Sequence, residues 1–412
     1  MQPRNSDPSD AVTAAQPTLA RTLTGNVLVA GVISFFTDIS SEMIVPVLPL
    51  FLSSVLGAPM AAIGIIEGLA ESTSSVVRGF AGWLSDRAGK RKPFVMSGYV
   101  LSNFSKPLLA LVASWPQVLL LRFADRLGKG IRTAPRDALI ADSVAPQRRG
   151  LAFGFHRSLD TAGAALGPLV AFATLSVFPE NYRAVFWIAA VPGALAVVIG
   201  LLFLRELART RADMAAPRFA AHGLGRRFTI FTAVATLFAL GNSSDAFLIL
   251  RARHLGVSAV VIPLVYLAFN VVYAVLATPA GALSDRLGRR TVLAVGYVIF
   301  TLVYLGFALV PMGGGVGVVL PLFVVYGGYY ALTEGVQKAL ITDLVPAASR
   351  ATAIGTFSMA TGLALLPASV IAGALWDRVG PSAPFLYGAI MAFLALILLL
   401  ALLPRGIERA SA

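Results

Sequence analysis

Apolar segments of about 20 residues recur along almost the whole chain, and each is long enough to cross a hydrocarbon core of about 30 Å as a helix. They lie at about residues 24–52, 60–83, 94–113, 116–140, 150–176, 182–204, 228–251, 257–283, 291–311, 317–344, 351–376 and 383–403. Hydrophobic residues make up 57% of the chain and charged residues 13%, against about 45–50% and about 25% in soluble domains. The sequence therefore predicts an all-α membrane protein with twelve transmembrane helices.

Basic residues are concentrated in every second loop between these segments, and the net charge is +13. The alternate loops, such as LSSVLGAP, carry little charge, with Arg251 and Arg253 as the main exception. Because basic loops stay on the cytoplasmic side, this pattern predicts that both termini are cytoplasmic. It indicates a multi-pass protein of a bacterial-type inner (plasma) membrane and argues against a nucleic-acid partner.

Cysteine is absent, which excludes disulfides and thiolate metal sites. Only His156 of the three histidines lies deep within a predicted helix, so we expect no metal site and no cofactor. No nucleophile–base pairing or complete phosphate-binding loop appears, and an enzyme is therefore not expected.

Internal repetition divides the chain into two similar halves. GWLSDRAGKRKP and GALSDRLGRRT place Asp86 and Asp285 199 positions apart (285 − 86), while Asp142 and Asp343 lie 201 apart (343 − 142). Nearly constant offsets indicate one six-helix unit present twice, a plan common among secondary transporters. The predicted regions are a disordered cytoplasmic tail (1–22), an N-terminal bundle (23–204), a cytoplasmic linker (205–227), a C-terminal bundle (228–403) and a second cytoplasmic tail (404–412).

These motifs resemble those of the major facilitator superfamily. GWLSDRAGKRKP is similar to that family's loop motif between helices two and three, and GALSDRLGRR is similar to its counterpart between helices eight and nine. Gly163, Gly167 and Pro168 in GAALGPLVA resemble the helix-five motif of the drug:proton antiporter branch, although Ala171 and Phe172 replace its usual final glycines. The resemblance implies two pseudo-symmetric six-helix bundles and alternating access.

The resemblance also implies a cytoplasmic gate, which is closed when the protein faces outward and broken when it faces inward. We expect Asp86 to be its latch, with Arg136, Asp142 and Arg149 as natural partners. The full predicted set is Gly82, Asp86, Arg87, Gly89, Arg136, Asp142, Arg149, Asp285, Arg286, Asp343 and Arg350. The alternative is that the basic residues of the loop only fix the topology.

Charged residues at membrane depth form a second predicted cluster. At 1.5 Å per residue, Arg122 lies roughly 9 Å below the outer edge of span four and Arg126 roughly 15 Å. Groups on spans one, two and five lie at similar depth and are candidates for proton coupling: Asp38, Glu42, Glu67, Glu71, His156 and Asp160. Such buried charges generally mark ion or substrate pathways. The alternative is that they are structural ion pairs that hold helices together.

The predicted substrate cavity combines these charges with polar residues of the second half. Its candidates are Lys106, Arg122, Asp125, Arg126, Asn242, Asp245, Asn270, Tyr273, Tyr330 and Glu334. Amide and aromatic groups suit recognition by shape and hydrogen bonding, whereas ordinary helix packing is the alternative for the second half. The sequence leaves open whether Arg122 or Arg126 is the family's helix-four arginine, because the family spacing falls on Ala124.

The leading functional hypothesis is a monomeric, proton-coupled antiporter that exports a small organic molecule, with Asp38 as the first candidate for the proton site. An uptake symporter or exchanger of an anionic metabolite is the second hypothesis, in which Lys106, Arg122 and Arg126 bind substrate. Export of a metal or a metal chelate is a third hypothesis, and a membrane-embedded receptor or scaffold is a fourth. The expected partners are the small-molecule substrate, protons and the lipid bilayer.

Overall fold

A computed structural model describes residues 25–207, 224–346 and 349–403, and in these ranges every regular element is helical. The first half contains α1 (Gly25–Ile44), α2 (Met60–Ala88), α3 (Lys92–Leu108), α4 (Trp115–Asp142), α5 (Arg149–Val177) and α6 (Tyr182–Phe203). The second half contains α7 (Arg226–Gly241), α8 (Ala246–His254), α9 (Ile262–Leu287), α10 (Arg289–Leu309), α11 (Gly315–Leu344), α12 (Arg350–Arg378) and α13 (Ala383–Leu402). The predicted tails 1–22 and 404–412, and residues 208–223 of the predicted linker, lie outside the described residues.

Ten helical segments among the described residues are long and apolar enough to cross a membrane. The all-helical, multi-pass class is therefore confirmed, while the count of twelve stays a prediction. The two predicted spans that miss this criterion correspond to α3 and α4. Helix α3 has only 17 residues, and α4 carries the charged run from Arg122 to Asp142.

Span seven is not continuous, contrary to the predicted segment 228–251. Helix α7 ends at Gly241 and α8 begins at Ala246, with Asn242-Ser243-Ser244-Asp245 between them. Side chains of this type compete with helical backbone hydrogen bonds. The Ser244 backbone N–H donates instead to Ser369 Oγ of α12 at 3.2 Å. The break is thus accommodated because it is packed against protein rather than lipid.

Helices α2 and α12 join the two halves through a close backbone approach. A Cβ on Gly68 would lie 2.9 Å from Leu366 Cα, and one on Gly373 would lie 2.7 Å from Ala61 Cα. Only glycine permits this spacing, as in other tightly packed membrane helices. Helices α5 and α9 form a second contact between the halves.

Polar contacts reinforce the same interface toward the start of α2. The Asp377 carboxylate accepts hydrogen bonds from the backbone N–H groups of Met60 at 3.0 Å and Ala61 at 2.8 Å. Ser72 Oγ donates to the Gly362 carbonyl at 2.8 Å. Farther along α2, toward the loop motif, Phe80 is 62% exposed. The contact between α2 and α12 is therefore concentrated in the half of α2 away from its loop motif.

Candidate functional site

Two ion pairs connect α2 with α4, and the first of them is buried. Arg122 Nη2 lies 2.8 Å from Glu67 Oε2, and Arg122 Nε donates to Glu67 Oε1 at 3.2 Å. One turn along α4, Arg126 Nη2 lies 3.1 Å from Glu71 Oε1. Bidentate pairing of this kind fixes orientation as well as charge. The two arginines are therefore neutralised by acids of a neighbouring helix.

Asp125 belongs to the same network. Ser102 Oγ of α3 donates to its carboxylate at 2.5 Å, and Arg122 Nη1 lies 3.4 Å from the other oxygen. Asp125 thus links α3 to the paired charges of α4. The sequence-based alternative of structural ion pairs fits these residues well.

A small cavity of about 40 Å³ lies between α1, α3 and α4. Predicted residues that line it are Asp38, Glu42, Lys106, Arg122, Asp125 and Arg126. Glu67 and Glu71 are not among its lining residues. Lys129 and Arg132 also line the cavity, and neither was predicted there.

Lys106 is 2% exposed and is held by neutral oxygens. Its Nζ donates to Asn103 Oδ1 at 2.8 Å, to Ser41 Oγ at 2.9 Å and to the Thr37 carbonyl at 3.4 Å. In the part of the chain that the structure describes, no carboxylate lies within 4.0 Å of this ammonium group. Its charge is therefore hydrogen-bonded without being neutralised by an ion pair.

Arg132 is buried at the cavity wall with incomplete hydrogen bonding. Its guanidinium carbon lies 4.4 Å from the ring centre of Tyr99, while its Nε and Nη1 are buried without a partner among the described residues. Gly98 makes room for it, since a Cβ there would lie 2.7 Å from Arg132 Cβ. Arg132 was not among the residues predicted for the cavity, but its spacing from Arg122, Arg126 and Lys129 indicates one shared helix face.

Asp38 of α1 and Asp160 of α5 are neighbouring acids across the contact between these two helices. Because two negative charges at close range repel each other, such a pair favours holding one proton between them. The helix-five motif brings the helices together, because a Cβ on Gly163 would lie 3.2 Å from Asp38 Cβ. Gly167 is packed equally tightly, with its Cβ position 2.8 Å from Glu42 Cβ. Pro168 is buried beside it in α5.

Glu42 connects the two halves of the chain. Tyr266 OH of α9 donates to its carboxylate at 3.2 Å. Glu42 therefore combines a place in the cavity wall with a contact that depends on how the halves are arranged.

His156 does not line the cavity, and it belongs to a network behind it. Ser34 Oγ lies 2.9 Å from His156 Nε2 and 3.2 Å from Tyr99 OH. Arg136 Nη1 donates to the same hydroxyl at 3.2 Å. The network thus connects Tyr99, whose ring packs against Arg132, to the predicted gate residue Arg136.

The polar residues of the second half surround Asp245 rather than the cavity. Tyr326 OH donates to Asp245 at 2.8 Å, and Tyr330 OH donates at 3.4 Å. Asn242 Nδ2 donates to Tyr329 OH at 3.2 Å. Asn242 Oδ1 and Asn270 Nδ2 are buried without a partner among the described residues.

Tyr273 and Glu334 form a separate pair. Tyr273 OH donates to the Glu334 carboxylate, and Lys338 Nζ lies 3.1 Å from its other oxygen. Glu334 is exposed, so neither residue is part of the cavity wall in the first half.

The loop motifs contain matching charge clusters in the two halves. Arg91 Nη2 lies 2.7 Å from Asp86 Oδ1, and its Nε lies 3.5 Å from Asp142. Arg289 in turn lies 3.0 Å from Asp285 and 2.5 Å from Asp343. Neither Arg91 nor Arg289 was predicted, although each joins the two acids that the repeat placed in equivalent positions.

The other predicted gate residues have mostly local contacts. Arg136 lies 2.8 Å from its neighbour Asp137, while Arg149 and Arg350 donate to the equivalent backbone carbonyls of residues 141 and 342. The remaining members are Gly82, which faces α4, Gly89, which ends α2 at φ 66°, Arg87, which stacks on Trp83, and the exposed Arg286.

The sequence profile of the Major Facilitator Superfamily matches the chain twice, over residues 30–242 and 220–411. The chain belongs to the major facilitator superfamily. One match in each half agrees with the internal repeat, and membership identifies the protein as a transporter of that superfamily.

Among relatives of this major facilitator superfamily chain, an uncharacterized MFS-type transporter of Methanocaldococcus jannaschii is 39% identical over 92% of this chain and 95% of its own. A probable 4-methylmuconolactone transporter of Cupriavidus pinatubonensis is 26% identical over 79% of this chain and 77% of its own. The fold is similar to that of a bacterial homologue of the human lysosomal transporter Spinster, solved in an inward-facing and occupied conformation. That similarity has a TM-score of 0.71 at 19% identity and covers 90% of this chain and 93% of the other.

Proposed function

We propose that this protein is a secondary transporter with twelve membrane-spanning helices in two six-helix bundles and both termini in the cytoplasm. Family membership and the ten apolar helices support this arrangement, to which α3 and α4 add the remaining two spans. The charges that lower their hydropathy are turned inward, since Lys106 and Arg122 are buried. Alternating access in a bacterial-type inner membrane follows from this proposal.

Proton coupling is the part of the proposal that depends on one arrangement, the proximity of Asp38 and Asp160 where α1 packs against α5. The pair lies on two helices, and Asp38 also lines the cavity. The pair could release its shared proton when the protein is open to one side of the membrane and take up a proton when it is open to the other. A proton gradient would then be coupled to substrate movement. Glu42 beside it is the next candidate, because its partner Tyr266 lies in the other half.

For the direction of coupling, efflux by antiport of a small organic molecule is the first candidate. The resemblance of Gly163, Gly167 and Pro168 to the antiporter motif supports it. Movement of an anionic metabolite together with a proton is the second candidate. It is favoured by Lys106, Lys129 and Arg132, which face the cavity without a carboxylate within 4.0 Å among the described residues.

The test is proton movement in liposomes that contain the purified full chain and a pH-sensitive dye. A panel of organic cations, neutral molecules and organic anions is added outside under an imposed pH gradient. We expect one class to move protons and Asp38→Asn to abolish this movement while leaving the folded, monodisperse protein. Glu180→Gln, a change at an exposed acid of a loop, is the matched control and retains coupling. Normal gradient-driven accumulation in Asp38→Asn would remove Asp38 from the mechanism.

A further inference from the structure

We infer that the cavity between α1, α3 and α4 binds an organic carboxylate, and that the carboxylate binds together with the proton of the Asp38–Asp160 pair. This inference rests on the proposed function as a transporter, takes its second candidate, the joint movement of an anion and a proton, and assigns the substrate class. It also assigns Lys129 and Arg132 to the binding site, with Lys106 as the third cation.

The basic residues of the cavity are of two kinds. Arg122 and Arg126 form ion pairs with Glu67 and Glu71 of α2. Lys106, Lys129 and Arg132 lie on the same cavity without a carboxylate within 4.0 Å among the described residues. We refer to these three residues as the cation cradle. Asp38, Glu42 and Asp125 line the same cavity, but no carboxylate among the described residues lies within 4.0 Å of these three cations, so a ligand anion between them would supply the missing partner.

Arg132 points most directly to a carboxylate. It is 5% exposed, yet two of its guanidinium nitrogens have no hydrogen-bond partner among the described residues. A buried charged donor without a partner is strongly unfavourable. Tyr99 holds the guanidinium plane from one face, which leaves its edge for a ligand. The paired N–H groups of an arginine match the two oxygens of a carboxylate.

The rest of the wall indicates an organic rather than an inorganic anion. Ile44, Val45, Leu109 and Leu121 line the same cavity. An apolar surface beside a few convergent polar groups is the usual composition of a site for a small organic molecule. A carboxylate with an apolar body would satisfy both parts of the wall.

Acids near the cradle connect anion binding to the proton. Asp38 lies within electrostatic reach of Arg132 and Lys129. When the Asp38–Asp160 pair loses its proton, the added negative charge competes with the ligand for these cations. When the pair keeps its proton, the cradle is available. Because such coupling is reciprocal, the bound carboxylate favours the protonated pair, and the two would cross the membrane in the same direction.

Other charged groups face the acid pair and the cradle from the packed helices. They are Glu42 on α1, Glu71 on α2, Asp125, Arg126 and Arg136 on α4, and His156 and Arg157 on α5. Asp125 is engaged by Ser102 and Arg122, and Arg157 lies 3.1 Å from Asp160. Glu42 is therefore the second acid whose protonation would favour the anion.

The first experiment measures ligand-induced stabilisation of the purified full chain in detergent, where transport plays no part. The probes are benzoate, 4-hydroxybenzoate, hexanoate and succinate, each compared with its neutral amide. We expect at least one carboxylate to raise the unfolding temperature while its amide does not. Stabilisation by none of the four, or equal stabilisation by acid and amide, overturns the inference.

Variants then test the cradle. Arg132→Gln and the half-buried Lys129→Gln are expected to weaken carboxylate binding about 10- to 100-fold, and Arg132→Lys to weaken it less. Arg227→Gln removes the same charge from an exposed position at the start of α7 and leaves binding unchanged. Unaltered binding in a folded Lys129→Gln or Arg132→Gln protein contradicts the assignment.

Proton uptake on binding separates this inference from the proposed function. In weakly buffered detergent solution, the carboxylate that binds is expected to raise the pH, and Asp38→Asn to abolish this rise. Proton release on binding overturns the common direction of movement. If no carboxylate binds while Asp38→Asn still abolishes proton coupling in liposomes, the inference fails and the proposed function stands.

Discussion

At the scale of single residues, α4 contains two different kinds of buried charge on one face. Arg122 and Arg126 are ion-paired with acids of α2, so their first effect is to hold two helices together. Arg132 and Lys129 face the cavity without such partners among the described residues. These four residues follow one another at intervals of three or four positions in the sequence, and only the neighbouring helices distinguish their roles.

The Glu67–Arg122 pair is expected to be important for stability. Glu67→Gln leaves the buried guanidinium without its carboxylate, and we expect a loss of about 3–5 kcal/mol. Thermal unfolding of the purified protein measures this loss. In the double variant Glu67→Gln with Arg122→Gln, both charges are removed, and we expect part of the stability to return. A Glu67→Gln protein as stable as the unaltered chain would contradict a structural role for the pair.

At the scale of elements, the contact between α1 and α5 depends on the helix-five glycines. Gly163 and Gly167 place the α5 backbone directly against the side of α1 that carries Asp38 and Glu42. Small-residue packing therefore brings Asp38 close to the α5 backbone, on the helix that carries Asp160. The motif is a positioning device for the acid pair in this chain.

Gly163→Ala tests this dependence. The added methyl group would lie 3.2 Å from Asp38 Cβ and closer still to the Phe35 carbonyl, so α5 must move away. We expect a loss of about 1–3 kcal/mol in stability and a loss of proton coupling in liposomes. Gly154→Ala on the same helix, where nothing lies within 4 Å of the added Cβ, is the matched control. Equal coupling in both variants would show that the close contact is not needed.

Part of this arrangement could be predicted from the sequence. Helical rise placed Glu67 level with Arg122, Glu71 level with Arg126, and Asp160 on that deeper level, and the first two pairs are in contact. Rise gives depth but not rotation about the helix axis, so it did not place Arg132 in the cavity wall. The break after α7 was not predicted, because its four polar residues lie between two apolar stretches that together are long enough for one membrane span. The basic run of the loop was interpreted mainly as a topology signal, which concealed the contacts of Arg91.

At the scale of the whole molecule, the contact between the halves is strongest at one end. Helix α2 lies against α12 from Met60 to Ser72, where Asp377 caps the start of α2. Nearer the loop motifs, the charge clusters of Arg91 and Arg289 each join acids of their own half. This asymmetry is consistent with one orientation of an alternating-access cycle.

Asp377→Ala is expected to favour opening of the α2–α12 end. Loss of a helix cap costs about 1 kcal/mol, which corresponds to about a fivefold change in the ratio of closed to open forms. The chain has no cysteine, so Val45→Cys in the cavity wall serves as a single reporter. With Asp377→Ala, we expect a membrane-impermeant thiol reagent added on the side of the α2–α12 end to label this single cysteine faster. Unchanged labelling would mean that Asp377 does not stabilise closure.

A single proton shared by Asp38 and Asp160, as proposed, would have an energetic consequence for a cell. If one proton accompanies one monovalent carboxylate, the loaded carrier moves no net charge across the membrane. The electrical potential then performs no work on transport, and only the difference in acidity drives accumulation, by about tenfold for each pH unit. Such a carrier would still accumulate substrate in a cell whose membrane voltage had collapsed. Accumulation would stop when the two compartments reached the same acidity.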